Sequence, residues 1–218
     1  MLPHTEHVIA LCQQWYSTIP SFHLAQQARS AQQQFGYEYI YGEIDFSSFA
    51  LLLERCQINS ESVFYDLGSG AGKAVVCAAL LYEFKKVYGI EQLSLLHECA
   101  QKICSQLSVT HSQTITLYQA DLLSFTYQDA DIVFINASAF LGDFWQAVLV
   151  KLQGLKAGTQ IILVSKPLPE AQFEQVYSDF LPMSWGLARV GVYRVKLDFP
   201  PFTKGANSQL DRKSGKEY

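Results

Sequence analysis

The sequence predicts an α/β fold: a mostly parallel sheet with helices on both faces, preceded by a small helical appendage. Three observations carry this expectation. From Val63 onward, short apolar runs alternate with helix-length segments, the pattern of repeated βαβ units. A glycine-rich turn, Asp66-Leu67-Gly68-Ser69-Gly70-Ala71-Gly72, follows the first of those runs. The 218 residues, 49% hydrophobic and 17% charged, suffice for one well-cored domain and fall short of two.

Residues 5–35 read as mostly helical, with a break at Ile19-Pro20 where proline blocks continuation, and with Ser21 as candidate cap of the second segment. The run Tyr37–Glu43 is dense in aromatics and broken by Gly42. Asp45 suits the cap of a helix from Phe46 to about Cys56, with Phe46, Phe49, Ala50 and Leu53 on one face. Buried strands are expected at Val63–Asp66, Lys86–Glu91, Thr114–Gln119, Asp131–Asn136 and Thr159–Ser165. Helices fall between them at roughly Lys73–Phe84, Ser94–Leu107 and Leu141–Leu155, with Gly154 and Gly158 flanking the exit of the last. A final pair of extended runs, Trp185–Val195 being the clearer, predicts an antiparallel hairpin at one edge. The segment after Pro200-Pro201 is polar and reads as a loosely ordered tail.

Bulk properties exclude several classes. A net charge of −4 argues against a globally basic nucleic-acid binder. The five cysteines (Cys12, Cys56, Cys77, Cys99, Cys104) contain no C-x-x-C pair, so neither a disulfide framework nor a zinc site is expected, and no metal is called for. The N-terminus carries His4, Glu6 and His7 where a signal peptide needs a basic start and an apolar run. No stretch approaches the ~20 apolar residues of a membrane span. These features predict a soluble, intracellular protein, cytoplasmic by default, with no membrane partner; they do not set an oligomeric state.

The glycine-rich turn invites three nucleotide readings. A dinucleotide loop, G-x-G-x-x-G, lacks its third glycine because Lys73 stands there. A phosphate-binding G-x-x-x-x-G-K-[ST] loop is broken by Leu67 and Ala74 on either side of Gly72-Lys73. The spacing Asp-x-Gly-x-Gly-x-Gly resembles instead the first motif of class I methyltransferases. Two further acids favour that reading. Glu91 ends the second strand, where a carboxylate can accept hydrogen bonds from ribose hydroxyls. Asp121 follows the third, where it can accept from an adenine amino group while the amide of Leu122 donates to the ring. The expected cofactor is S-adenosyl-L-methionine, leaving as S-adenosyl-L-homocysteine.

Further residues narrow the resemblance. Tyr41-Gly42-Glu43 ahead of Asp66-Leu67-Gly68-Ser69-Gly70, then Gly89-Ile90-Glu91, Phe134-Ile135-Asn136, Ser165-Lys166-Pro167 and Ser184-Trp185, are together similar to the Dot-type (disruptor of telomeric silencing) histone-lysine methyltransferases, across about residues 36–198. The resemblance implies a seven-stranded Rossmann-like sheet that methylates a lysine side chain of a protein. It divides the chain into a helical segment at 1–36, a catalytic domain at 37–200 and a flexible tail at 201–218. By position, Tyr41, Gly42, Glu43 and Ile44 would cover the methionine end of the cofactor. Phe64, Asp66, Leu67, Gly68, Ser69, Gly70, Gly72 and Lys73 would form the cradle. Glu91, with Gln92, would hold the ribose, and Asp121 with Leu122 the adenine. Asn136 would sit beside the reacting methyl group and orient the nucleophile, and Tyr193 would line the lysine channel.

Departures from the family pattern concern the acceptor. Ala137 and Ser138 stand where the family has a second asparagine and an aromatic, and Val192-Tyr193 where it has two tyrosines. The family's basic nucleosome-binding extension has no strong counterpart; Lys204, Arg212, Lys213 and Lys216 read as a solvated tail. A lysine acceptor, with a reference pKa of ~10.4, must shed a proton first, and an apolar channel favours that. Two other readings stay open: a methyltransferase acting on a small molecule or another residue, and a catalytically silent cofactor-binding module.

Overall fold

In a computed structural model, residues 3–197 are described. The expected tail at 201–218, with its four basic residues, lies outside them. Helices α1 (Pro3–Tyr16) and α2 (Ser21–Ala31) are followed by a 3-10 turn at Tyr37–Tyr39 and by α3 (Phe46–Leu53). The alternating part then runs β1 (Val63–Leu67), α4 (Lys73–Leu81), β2 (Lys86–Glu91), α5 (Ser94–Cys104), α6 (Val109–Thr114), β3 (Ile115–Gln119), β4 (Ile132–Asn136), α7 (Gly142–Gln153) and β5 (Gln160–Val164). The hairpin β6 (Phe173–Met183) and β7 (Gly186–Val195) closes the series. The seven strands form one sheet in the order β3-β2-β1-β4-β5-β7-β6. β1 to β5 pair in parallel, and β7 inserts antiparallel between β5 and β6.

Strand pleating sorts side chains to opposite faces, and the core divides accordingly. Phe64, Ile132, Phe134, Ile162 and Val192 face the layer of α1, α3, α4 and α5. Tyr65, Val133, Ile135, Leu163 and Tyr193 face the layer of α7. Both faces of the parallel strands are therefore covered, which is why those strands read as continuous apolar runs. The expected N-terminal helices are present and pack onto this core: Cys12 and Ala28 are fully buried, and the Tyr16 hydroxyl donates to the carbonyl of Ala71 in the glycine-rich turn at 3.1 Å.

Asp45 caps α3 as expected, its Oδ1 accepting from the amides of Ser47 and Ser48 at 2.9 and 3.1 Å. Ser21 does not cap α2. Pro20 occupies the cap position without a side-chain bond, and Ser21 is the first helical residue. α3, α4 and α5 each stop three residues short of the expected ends, and the polar α6 was not expected. Among the described residues no helix is long and apolar enough to cross a membrane, and all five cysteines are free.

Candidate functional site

Because β1 to β4 run parallel, everything that follows their last residues gathers at one edge of the sheet, where open α/β folds bind ligands. The glycine-rich turn, Glu91, Asp121 and Asn136 meet there. They line a groove of two connected parts, a larger one of about 700 Å³ and a smaller one of about 330 Å³. Glu91, Gln92, Asp121 and Leu122 line the larger part; Glu43, Ile44, Asp66, Ser69, Gly70 and Lys73 line the smaller. Tyr41, Gly42, Gly68 and Asn136 border both, so they mark the junction.

Each wall has a physical basis. In the turn, Gly70 takes φ +54°, and a Cβ there would lie 2.5 Å from the Tyr41 ring. Glycine thus admits both the left-handed backbone and the tyrosine lid. Glu91 is buried; its Oε2 accepts from the Gly70 amide at 2.7 Å and its Oε1 from the Leu93 amide at 2.8 Å. Burial raises its pKa, and these backbone donors oppose the rise. Each oxygen keeps a further lone pair for a ligand hydroxyl. Asp121 holds its own loop through the Leu123 amide at 2.8 Å and the Ser124 hydroxyl at 3.3 Å. Beneath that loop, Lys151 of α7 donates to the carbonyls of Leu123 and Phe125.

Asp66 differs from the other acids. It is 2% exposed, borders the smaller part of the groove, and its carboxylate accepts no hydrogen bond from the described residues. Burial first, and the neighbouring Glu91 second, hold its carboxyl well above the usual carboxylate range. A buried acid without a donor is costly unless something positive arrives. The set therefore fits S-adenosylmethionine on the chemistry of its donors and acceptors: two acids for the adenosine hydroxyls and amine, and one unpaired acid for the amino-acid ammonium. Tyr41, Gly42, Gly68 and Asn136, which border both parts, stand between the acids suited to the nucleoside and the acid suited to the amino-acid end.

The lid is fastened from two sides. Tyr41 donates to Glu43 Oε1 at 2.8 Å, and Glu43 Oε2 pairs with Lys73 at 2.5 Å. Phe22 of α2 meets the Tyr41 ring edge-on at 5.2 Å. From the far end of the chain, Ser184 accepts the Glu43 amide at 3.0 Å and returns its own amide to the Glu43 carbonyl at 2.8 Å. Trp185 lies so close over Gly42 that any Cβ there would run into its ring. The Tyr41-Gly42-Glu43 and Ser184-Trp185 pieces are therefore one structural unit. Asn136 joins it, donating from Nδ2 to the Gly42 carbonyl at 3.0 Å.

Comparison with known proteins decides what unit this is. The family model described as "Histone methylation protein DOT1" matches residues 23–181, well over half of the chain. The chain belongs to the DOT1 family. It is 26% identical over 143 residues to an H3 lysine-79 specific histone-lysine N-methyltransferase of Kluyveromyces lactis, covering 60% of this chain and 25% of that protein. A protein of the same description from Candida albicans is 30% identical over 178 residues, covering 70% of this chain and 13% of its own length. The chain thus spans about a quarter or less of these DOT1 relatives. Among solved structures, an RNA methyltransferase from Salinibacter ruber in complex with S-adenosyl-L-homocysteine matches with a TM-score of 0.56 at 21% identity. That match covers 70% of this chain and 92% of that one, and it bears on the fold.

Four sequence-predicted residues fall elsewhere. Phe64 is fully buried against Phe49 and Phe84, and Leu67 is 1% exposed in the opposite layer; both flank the cradle without lining it. Gly72 sits under Ala100 as the left-handed cap of α4. Tyr193 is 3% exposed in the α7 layer and lines no part of the groove, because it pairs with Ile161 near the start of β5, away from the edge where the parallel strands end. Conversely, Ile40, Ser138, Phe140 and Phe144 line the larger part without having been singled out as cofactor or catalytic residues. Only Ser138 was flagged, as a departure from the family.

Proposed function

We propose that this chain is an S-adenosylmethionine-dependent methyltransferase whose acceptor is a lysine side chain of a protein, histone H3 being the first candidate. The observation that carries the proposal is the unpartnered, buried Asp66 at one end of a groove whose other end presents Glu91 and Asp121. That arrangement suits a ligand with an adenosyl end and a cationic amino-acid end. Membership of the DOT1 family supports the acceptor class. When bound, the cofactor supplies an electrophilic methyl group on a sulfonium.

The chain's own residues bind, orient and exclude water. Asp66 takes the ammonium, and Lys73, which lines the same part of the groove and pairs with Glu43, faces the carboxylate end. Glu91 takes ribose hydroxyls. Asp121 and the Leu122 amide read the adenine edge. The Tyr41 lid keeps solvent from the junction, where a displacement needs alignment of nucleophile, methyl carbon and sulfur more than it needs proton transfer. A single domain at 37–200 with a helical segment at 1–36 and a tail at 201–218, in a reducing intracellular compartment, belongs to the same proposal.

The test combines calorimetry with methyl-labelled S-adenosylmethionine and purified histone H3. Wild-type protein binds the cofactor and labels the histone; Glu91→Ala loses both. Equal micromolar binding by the two proteins overturns the cofactor assignment. Label in small-molecule extracts but in no protein band replaces the acceptor.

A further inference from the structure

We infer that Ser138 receives an N–H of the acceptor amine, and that Asn136 acts through Ser138 as a positioning residue. This deepens the proposed function and rests on it.

The argument starts from which way the Asn136 amide points. The Gly42 carbonyl can only accept, so the group facing it at 3.0 Å is Nδ2. Oδ1 is thereby turned to Ser138, 2.9 Å from its hydroxyl and 3.4 Å from its amide. An amide oxygen has no hydrogen, so the Ser138 hydroxyl donates to it, and that proton is spent. What Ser138 has left for the groove is lone pairs. It lines the larger part beside Asn136, next to Phe140, Phe144 and Ile40. Ser138 is one hydrogen bond from Asn136, which borders the junction, so its oxygen stands at the end of the larger part nearest the two parts' meeting point. The Asn136 carbonyl itself, already taking two donors, has little capacity left.

An acceptor-only oxygen at that place selects the nucleophile by its hydrogens. A neutral amine brings its lone pair to the methyl carbon and still has N–H bonds to offer Ser138. A thiolate or an alkoxide, the reactive forms of a thiol or hydroxyl, brings none. In the transfer the amine lone pair forms the N–C bond as the C–S bond breaks, and that electron pair stays on sulfur, turning the sulfonium into a neutral thioether. The methylammonium product loses its proton to water. Each methyl added replaces one N–H, so the same hydrogen bond favours the first methylation over later ones.

The experiment uses a probe that does not depend on the natural acceptor: adenosine bearing a 5′ nitrogen that carries an aminopropyl arm. Its comparison compound ends the arm in a methyl group. Calorimetry on the wild type is expected to show about tenfold preference for the amine, the size of one hydrogen bond to a charged or polar donor. Ser138→Ala removes the preference and leaves S-adenosylmethionine affinity within about twofold; Ser138→Thr keeps it. On histone H3, Ser138→Ala shifts product from monomethyl toward dimethyl by mass spectrometry. An undiminished amine preference in a folded Ser138→Ala overturns the inference. If wild type fails to label histone H3 while the amine preference and its loss are seen, the acceptor reading fails and the role of Ser138 stands.

Discussion

Asp66 offers the most stringent test of the site, because stability and binding should respond to it in opposite directions. Its carboxyl is buried without a donor, and its pKa is raised by burial and by Glu91. The folded, cofactor-free protein therefore binds this proton more tightly than the unfolded chain does. Stability linked to Asp66 is greatest below the ordinary carboxylate range and falls as pH rises toward the raised value, since the unfolded state then holds fewer protons. A cationic ligand reverses the preference, because it needs the carboxylate. Binding then expels a proton, and affinity for S-adenosylmethionine should climb with pH by up to tenfold per unit for each proton released, or about 1.4 kcal/mol. The climb ends above the raised pKa. Asp66→Asn removes the buried charge. At neutral pH it should raise Tm, by about 2–4 °C for each kcal/mol relieved in a domain of this size. It should weaken cofactor binding by about 10–100-fold, the loss of one hydrogen bond to a charged group at about 1.5–3 kcal/mol. Calorimetry in two buffers of different ionisation enthalpy, across the pH range, reads both affinity and proton release. A variant that binds as the wild type does, or one that melts lower with an unchanged pH slope, refutes the reasoning.

Three further outcomes follow from the geometry. Gly42→Val should drive Trp185 off the lid and break the paired bonds between Glu43 and Ser184, lowering cofactor affinity at least tenfold while the sheet still folds; circular dichroism with calorimetry checks it. Gln32→Ala should cost about 0.5–2 kcal/mol, because Gln32 Oε1 accepts the Ser94 amide at 2.7 Å where α5 has no cap of its own, and its Nε2 donates to the Gln92 carbonyl at 3.2 Å; denaturant unfolding and exchange at the Ser94 amide measure this. Tyr193→Phe should leave turnover within about twofold, since its ring packs in the α7 layer and lines no part of the groove; a rate loss of tenfold or more returns Tyr193 to the site.

What could be read from the chain depended on how local the cause was. The strands β1, β2, β4 and β5 are continuous apolar runs because both their faces are covered, and their ends were placed to within one residue. β6 mixes Glu174, Gln175, Ser178, Asp179 and Pro182 into its length, since much of it is exposed, so its bounds gave no apolar signal. The acids Asp66, Glu91 and Asp121 were legible because each lies at or just past the end of a strand. Tyr193 was misplaced because its position depends on the register of β7 against β5: it pairs with Ile161 near the start of β5, away from the edge where the parallel strands end, and sequence spacing does not set that register. Phe140 and Phe144 reach the groove from a loop and a helix whose position depends on the whole sheet. Ser138 had a visible signal, its place two residues after Asn136, but its meaning required the orientation of the Asn136 amide.

The bond between Glu43 and Ser184 joins residues 141 positions apart. The glycine-rich turn and its three acids are made from the first two-thirds of the described chain, yet the lid above them is held shut by the final hairpin. During synthesis, a partly emerged chain would carry an almost complete nucleotide cradle with an unfastened cover. Only docking of β6 and β7, a closure of long sequence separation and so a late event, would complete the cradle. Competence to hold the cofactor thus reports that the whole domain has been made and assembled.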